Sequence, residues 1–211
     1  MKMILFDLDG TLTDSGEGIM NCAVFALEHF GIEKPTEQEL RAFVGPPLTE
    51  SFARAGVPAE HIDEAITVYR SRYLPIGKFE NHPYPGIREL LERLQKEGYP
   101  LYVATSKPEN TSIEILDHFD LSKYFVKICG AASDLSRNTK EAVIAYLIEQ
   151  CGKDEEVIMV GDTAYDVIGA KAHGIPTIAV TWGYGQEEEM VKAGATAVAS
   201  TMDELYTLLT T

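Results

Sequence analysis

Cysteine is scarce in this 211-residue chain: Cys22, Cys129 and Cys151 stand far apart and never as a CxxC pair. That spacing speaks against a disulfide frame and against a cysteine zinc site, and it fits buried apolar thiols in a reducing compartment. Positive charge is scarce too. Eighteen Lys and Arg against 33 Asp and Glu give a formal net charge of −15. Nonspecific binding to nucleic acid or to an anionic membrane needs basic surface, so both are disfavoured as partners. No run approaches the ~18 apolar residues of a membrane span. At the amino terminus Asp7 and Asp9 interrupt any apolar core that a leader would need. Internal repeats and low-complexity linkers are missing as well. The expectation is a soluble, cytoplasmic protein, monomer or homodimer.

What is present is ordinary globular material, 45 % hydrophobic and 24 % charged, enough for one core or one core plus a small accessory domain. The stretch KMILFDLDGTLTDS sets an apolar run directly against Asp7 and Asp9. Such a run closed by a Gly turn reads as a buried strand of a parallel sheet. Two close carboxylates at its end lose hydration and repel, so compensating charge or turn geometry is required. Three plainer readings compete. Asp9-Gly10 could be a hairpin turn. A calcium loop counted from Asp7 fails, because its fifth, sixth and twelfth positions are Thr11, Leu12 and Gly18. The acids could also simply cap the helix that follows.

Residues 14–82 look helical throughout. GEGIMNCAVFALEHFG places Ile19, Ala23, Ala26 and Phe30 near helical spacing, Thr36 and Glu39 form a capping-box pattern, and Ile62, Ile66, Tyr69 and Tyr73 share a stripe. Four short helices without a strand suggest a small bundle inserted into the chain. From residue 83 onward helices alternate with the strand candidates PLYVATS, YFVKICG, EVIMVGD, PTIAVTWG and a weaker ATAVAS, and Thr201 with Glu204 opens a last capped helix. The fold class expected is α/β: an open parallel sheet of Rossmann-like type formed by residues 1–13 and 83–211, with an all-helical insert at 14–82. Hinges are expected at Asp14 to Gly16 and near Glu80 to Pro85.

In such a sheet the ligand sits beyond the carboxyl ends of the strands. The first strand delivers Asp7 and Asp9, PLYVATS delivers Thr105 and Ser106, and EVIMVGD delivers Asp162 with Asp166 four residues on; Lys140 starts a helix in NTKEAVIAYL. Taken singly, each has a plain reading. Asp162 could cap the helix starting at Thr163, Thr105 and Ser106 could belong to an ordinary loop, and Lys140 could be a solvated lysine. On one helix face, Asp162 and Asp166 would repel unless a cation lay between them. Together they form a set suited to phosphoryl transfer. A divalent metal satisfies Asp7, Asp162 and Asp166, while Thr105, Ser106 and the backbone near Gly10 and Thr11 face the phosphate and Lys140 offsets its charge. Asp7 is then a nucleophile, and Asp9 a proton donor and later a base.

These motifs, DLDGT, YVATS, Lys140 and GDTAYD in order, resemble those of the haloacid dehalogenase superfamily phosphatases over essentially the whole chain. The resemblance implies a Rossmann-like core with a helical cap. It also implies Mg²⁺ held by Asp7, the Asp9 carbonyl, Asp162 and Asp166, the last directly or through water. An acid at Asp9 points to a phosphatase rather than a dehalogenase. FVGPPLTESF and TWGYGQEEEMVKAGATAVASTMDEL are similar to segments of the phosphoglycolate phosphatase-like branch. That similarity implies a small phosphorylated metabolite as partner, with nucleoside monophosphates and pyrophosphate as alternatives. Gly45 and Pro46 become substrate contacts on this reading, and Arg41, Arg70 or Arg72 candidates for the far end of the substrate. SDLSRNTKEAVI lacks the KPxP form common around the family's lysine, so Lys107 in TSKPEN rivals Lys140 as phosphate anchor. A phospho-acceptor signalling module is the alternative from another class; its acceptor would end an internal strand, and no cap would be inserted.

Overall fold

The computed structural model describes residues 2–134, 136–152 and 156–211. The chain divides into two compact units, Met1–Thr13 with Pro83–Thr211, and Asp14–His82. In the first, six strands make one sheet: β1 Met3–Phe6, β2 Leu101–Pro108, β3 Lys127–Ala131, β4 Val157–Gly161, β5 Thr177–Val180 and β6 Ala197–Ala199. Their order is β3-β2-β1-β4-β5-β6, and every pairing is parallel. The hairpin reading of Asp9-Gly10 is thereby overturned. Strand β1 lies between β2 and β4, with Ile4 opposite both Leu101 and Ile158. After it the chain tightens into a local turn in which Leu12 and Thr13 N–H donate to the Leu8 carbonyl.

All four residues of β1 are buried because both faces of the sheet are covered. Ile4 and Phe6 join Val103, Val160 and, from helices α5 (Ile87–Lys96) and α10 (Met202–Thr210), Leu91, Leu94, Leu205 and Leu209. Met3 and Leu5 point the other way, to Ala104, Met159 and the Val143, Ile144 and Leu147 side chains of α7 (Lys140–Cys151). The two-residue period of a strand thus sends alternate side chains into two separate cores. Helices α6 (Glu109–His118), α8 (Ala164–Lys171) and α9 (Glu187–Ala193) complete the layers. At α10 the Thr201 hydroxyl accepts from Glu204 N–H at 3.2 Å, but Glu204 returns to Ser200 N–H, so the box is displaced by one residue. Cys22 and Cys129 are buried as expected; Cys151 is exposed at the end of α7. No helix among the described residues is long and apolar enough to cross a membrane.

The second unit holds α1 (Gly16–His29), α2 (Glu37–Arg41), α3 (Leu48–Arg54) and α4 (Ile62–Tyr73). Thr36 and Glu39 make a full capping box on α2. A run of rings, Phe43, Phe52, Tyr69 and Tyr73, ties α3 to α4 with centroid spacings of 5.4, 6.2 and 5.2 Å. Phe30 falls just past the end of α1 and is half-buried, and Ile62 and Ile66 are half-buried beside fully buried Tyr69 and Tyr73.

Arg72 is internal to this unit. Its two terminal nitrogens grip Glu80 at 2.7 and 2.9 Å, and one also reaches Cys22 Sγ at 3.1 Å. That fork removes Arg72 from the candidates for substrate contact. It also holds the Glu80 carboxyl below the usual range. A depressed carboxylate pKa contributes stability above the unfolded value and loses it as pH falls through the folded one. Glu80→Gln is therefore expected to cost about 1–2 kcal/mol at pH near 7. The gap between variant and parent should close as both are melted at progressively lower pH. A gap that persists in acid would show that the charge on Glu80 is not what stabilises the unit.

Candidate active site

The ends of β1, β2 and β4 and the first turns of α7 and α8 converge in the sheet unit. Asp7 follows β1, its N–H bonded to the Val160 carbonyl at 2.9 Å. Asp162 follows β4, and Asp166 lies in the first turn of α8. One oxygen of each of the three carboxylates lies within 4.8 Å of the others, and all three residues are buried. Lys140, the first residue of α7, projects its ammonium 2.7 Å from Asp7 Oδ1 and 2.8 Å from Asp166 Oδ1, and donates to the Ala104 carbonyl at 2.8 Å. Helices α7 and α8 come close enough for this because Gly169 has no Cβ; one there would stand 2.7 Å from the Lys140 side chain.

Asp162 is not the cap of α8. Thr163 takes that position, its N–H and hydroxyl donating to Asp166 Oδ2 at 3.0 and 2.8 Å. Asp162 precedes the helix and meets Asp166 across the turn, not along a shared helix face. Its Oδ1 accepts from the Thr11 hydroxyl at 3.0 Å and its Oδ2 from Tyr184 N–H at 2.9 Å. Thr11 thus spends its hydroxyl on the acidic cluster.

Burial pushes the Asp7 carboxyl above its usual range; Lys140 opposes this and Asp166 reinforces it. Asp162 is raised well above, again by burial first, with Asp166 and Asp7 adding to it. Burial works against the Lys140 ammonium, but Asp166 and Asp7 outweigh it and lift its pKa. Three buried carboxylates around one lysine leave negative charge in a desolvated place. The backbone is shaped to admit them. A Cβ at Gly10, where φ is +80°, would stand 2.1 Å from Asp162 Oδ2, and one at Gly161 would stand 2.3 Å from Asp166 Cγ. Clustered carboxylate oxygens with nearby carbonyls are a hard donor set, and they fit Mg²⁺.

Asp9 stands apart from the trio. Its Oδ2 lies 2.6 Å from Lys107 Nζ, while its Oδ1 is buried without a hydrogen-bond partner among the described residues. Both rival lysines therefore reach the site, Lys140 at Asp7 and Lys107 at Asp9. Thr105 is buried, its oxygen accepting from Lys107 N–H at 3.3 Å, and its hydroxyl helps to lower the Asp7 pKa. Ser106, next along β2, is exposed. Gly45, at φ +104°, and Pro46 sit between α2 and α3 of the other unit, where Arg41 pairs with Glu37 at 3.2 Å and Arg70 is exposed. Outside the expected site residues lies the loop after β5, whose Trp182, Gly183 and Tyr184 close on Thr11 and Asp162; TWGYG, two glycines beside aromatics at a strand end and the start of the stretch similar to the phosphoglycolate phosphatase-like branch, is its signal in the sequence.

Residues 4–180 match the family model described as haloacid dehalogenase-like hydrolase. The chain belongs to that family. The hydrolase is 42 % identical over 189 residues to a 5'-nucleotidase of Pseudomonas aeruginosa, covering 89 % of this chain and 86 % of the relative. It is also 42 % identical over 207 residues to the tyrosine-protein kinase PtkA of Mycobacterium tuberculosis, covering 97 % of this chain and 71 % of that one. A crystal structure of a predicted phosphatase from Clostridium acetobutylicum superposes with a TM-score of 0.93 at 44 % identity, over 99 % of this chain and 98 % of that one. The family match and the likenesses to the nucleotidase and to the predicted phosphatase place the hydrolase among the family's phosphatases.

Proposed function

We propose that this hydrolase is a Mg²⁺-dependent phosphomonoester hydrolase that works through an aspartyl-phosphate on a small phosphorylated metabolite. The observation that supports this most directly is the division of labour at the end of β1. Asp7 belongs to the buried acid–Lys140 cluster, while Asp9, two residues on, is paired separately with Lys107.

Asp7 Oδ1 is engaged by Leu8 N–H at 2.8 Å and by Lys140, so the other carboxylate oxygen is the one assigned to attack phosphorus. As that bond forms, the bond from phosphorus to the leaving oxygen breaks, and Asp9 supplies the proton that the leaving alcohol needs. Asp9, now a carboxylate, takes a proton from water, which attacks the aspartyl-phosphate. Inorganic phosphate leaves and Asp7 is restored. Mg²⁺, held by Asp7, Asp162, Asp166 and the Asp9 carbonyl, would supply charge neutralisation for the phosphate oxygens. Lys140 keeps Asp7 oriented and Thr105 lies beside the same carboxylate, as phosphate-facing groups of this reading. The helical insert is assigned the role of a cap, with Gly45 and Pro46 carrying substrate contacts.

Asp9→Asn is expected to slow turnover of alkyl phosphates by about 10²–10⁴-fold. The loss should be much smaller in the first half-reaction of p-nitrophenyl phosphate, whose leaving group needs no proton. Equal losses with both would remove the proton-transfer role. Phosphate release with Mg²⁺ tests the function as a whole. Nucleoside 5'-monophosphates head the panel on the 42 % identity to the Pseudomonas enzyme. 2-Phosphoglycolate, pyrophosphate and a phosphotyrosine peptide complete it. One substrate favoured at kcat/KM of ~10⁴ M⁻¹s⁻¹ or more names the reaction. No hydrolysis of any phosphomonoester overturns the proposal.

A further inference from the structure

Asp162 is held from two sides, by Thr11 and by Tyr184, and Trp182 ties the two sides together. The Thr11 hydroxyl donates to its Oδ1 and the Tyr184 N–H to its Oδ2. Trp182 Nε1 donates to the Thr11 carbonyl at 3.1 Å, and its ring meets Tyr84 edge-on at 6.4 Å. A closed circuit results: Asp162 to Thr11, Thr11 to Trp182, along the chain to Tyr184, and back to Asp162. The loop fits only because two of its positions lack a Cβ. At Gly183 a Cβ would stand 2.3 Å from Asp162 Oδ2 and 2.4 Å from the Gly10 carbonyl oxygen; at Gly185 it would stand 2.0 Å from the Asp162 carbonyl oxygen.

We propose that residues 182–185, with Thr11, are the positioning element that sets divalent-metal affinity at Asp162, and that Trp182 reports loading of the site. Three carboxylates with oxygens within 4.8 Å repel one another, and Asp162 swinging away would relieve the repulsion. The circuit prevents that swing. Each oxygen keeps lone-pair capacity beyond its one hydrogen bond, so the carboxylate is pre-oriented for a cation without being used up. Partners of this kind, which orient a ligand without touching the metal, typically contribute 10–100-fold to affinity. Trp182 is the single tryptophan of the chain, so its emission can be excited selectively, and it lies one hydrogen bond from the turn that follows Asp7.

The inference rests on reading the acid trio as a metal site, and the experiment separates the two. Full-length protein stripped of metal is titrated with Mg²⁺, following binding by calorimetry and Trp182 emission in parallel. The expected result is saturable binding with the same midpoint in both signals. Thr11→Val and Gly183→Ala should weaken Mg²⁺ binding about 10–100-fold by calorimetry. Trp182→Phe, which keeps the packing and loses the donor, should weaken it several-fold. Thr11→Ser, which restores the hydroxyl, should bind within about threefold of the parent, a rescue that a merely structural role of Thr11 would not give. If Gly183→Ala fails to fold by circular dichroism, the Val and Ser pair at Thr11 decides. Unchanged Mg²⁺ affinity in folded Thr11→Val and Trp182→Phe overturns the positioning role and leaves the metal site standing. No Mg²⁺ binding by the parent overturns the metal reading itself. Emission that stays flat through calorimetric saturation refutes the assignment of Trp182 as reporter.

Discussion

Asp7→Asn is expected to lower phosphate release by at least about 10⁴-fold, because an amide does not attack phosphorus and no second carboxylate occupies its place. The fold should survive. The retained Oδ1 still accepts from Leu8 N–H, and Lys140 still has Asp166 at 2.8 Å and the Ala104 carbonyl. Burial and the neighbouring Asp166 both disfavour the ionised form of Asp7, so a neutral amide relieves a cost in the metal-free protein. The metal-free variant should therefore melt at or slightly above the parent. Rapid-quench trapping with a good substrate should capture a phosphoenzyme in the parent and none in the variant. Substantial residual turnover, or a phosphoenzyme trapped in Asp7→Asn, would dismiss Asp7 as the nucleophile. The loss of activity together with retained stability distinguishes a chemical role from a structural one.

Much of this arrangement was legible because the relevant signals are local. Four consecutive apolar residues before Asp7 announce a strand covered on both faces, and β1 is buried end to end. The acids at strand ends follow from where an open sheet presents its ligands. What the sequence withholds depends on closures between distant residues. Lys107 and Lys140 looked like rivals because each is a lysine near a strand or helix end; the structure sends one to Asp9 and the other to Asp7. The pairing of β2 with β3 becomes irregular between Ala104 and Pro108, the stretch that contains Lys107. Spacing alone suggested that Asp162 and Asp166 share a helix face, whereas α8 begins only after Asp162, at a cap that Thr163 and Asp166 make between them. The Thr11 to Trp182 bond spans 171 positions, so no periodicity could announce it. Arg72 offered a free guanidinium to the eye, and only folding shows it spent on Glu80.

Removing divalent metal should silence the hydrolase and destabilise it, and the size of the second effect should depend on pH in a determined direction. Chelation by EDTA is expected to abolish phosphate release, and excess Mg²⁺ to restore it. Ca²⁺, larger and looser in coordination, should occupy the site and inhibit. At about a hundred times its dissociation constant a ligand adds about 2.7 kcal/mol. For a domain of this length that is about 5–10 °C in Tm. The pH dependence follows from the raised pKa values of Asp7 and Asp162. From the ordinary carboxylate range up to the raised values, the folded metal-free protein holds protons that the unfolded chain has released. The cluster's contribution to stability therefore falls as pH rises through that window. Protons and Mg²⁺ compete for the same oxygens, so the metal's advantage should be small near pH 5 and grow toward pH 8. The difference in Tm between Mg²⁺ and EDTA, measured across that range, cancels titrations elsewhere in the molecule and isolates this cluster. A difference that is absent at pH 8 would refute the metal site, and one that shrinks as pH rises would show that Asp7 and Asp162 are not the groups that Mg²⁺ meets.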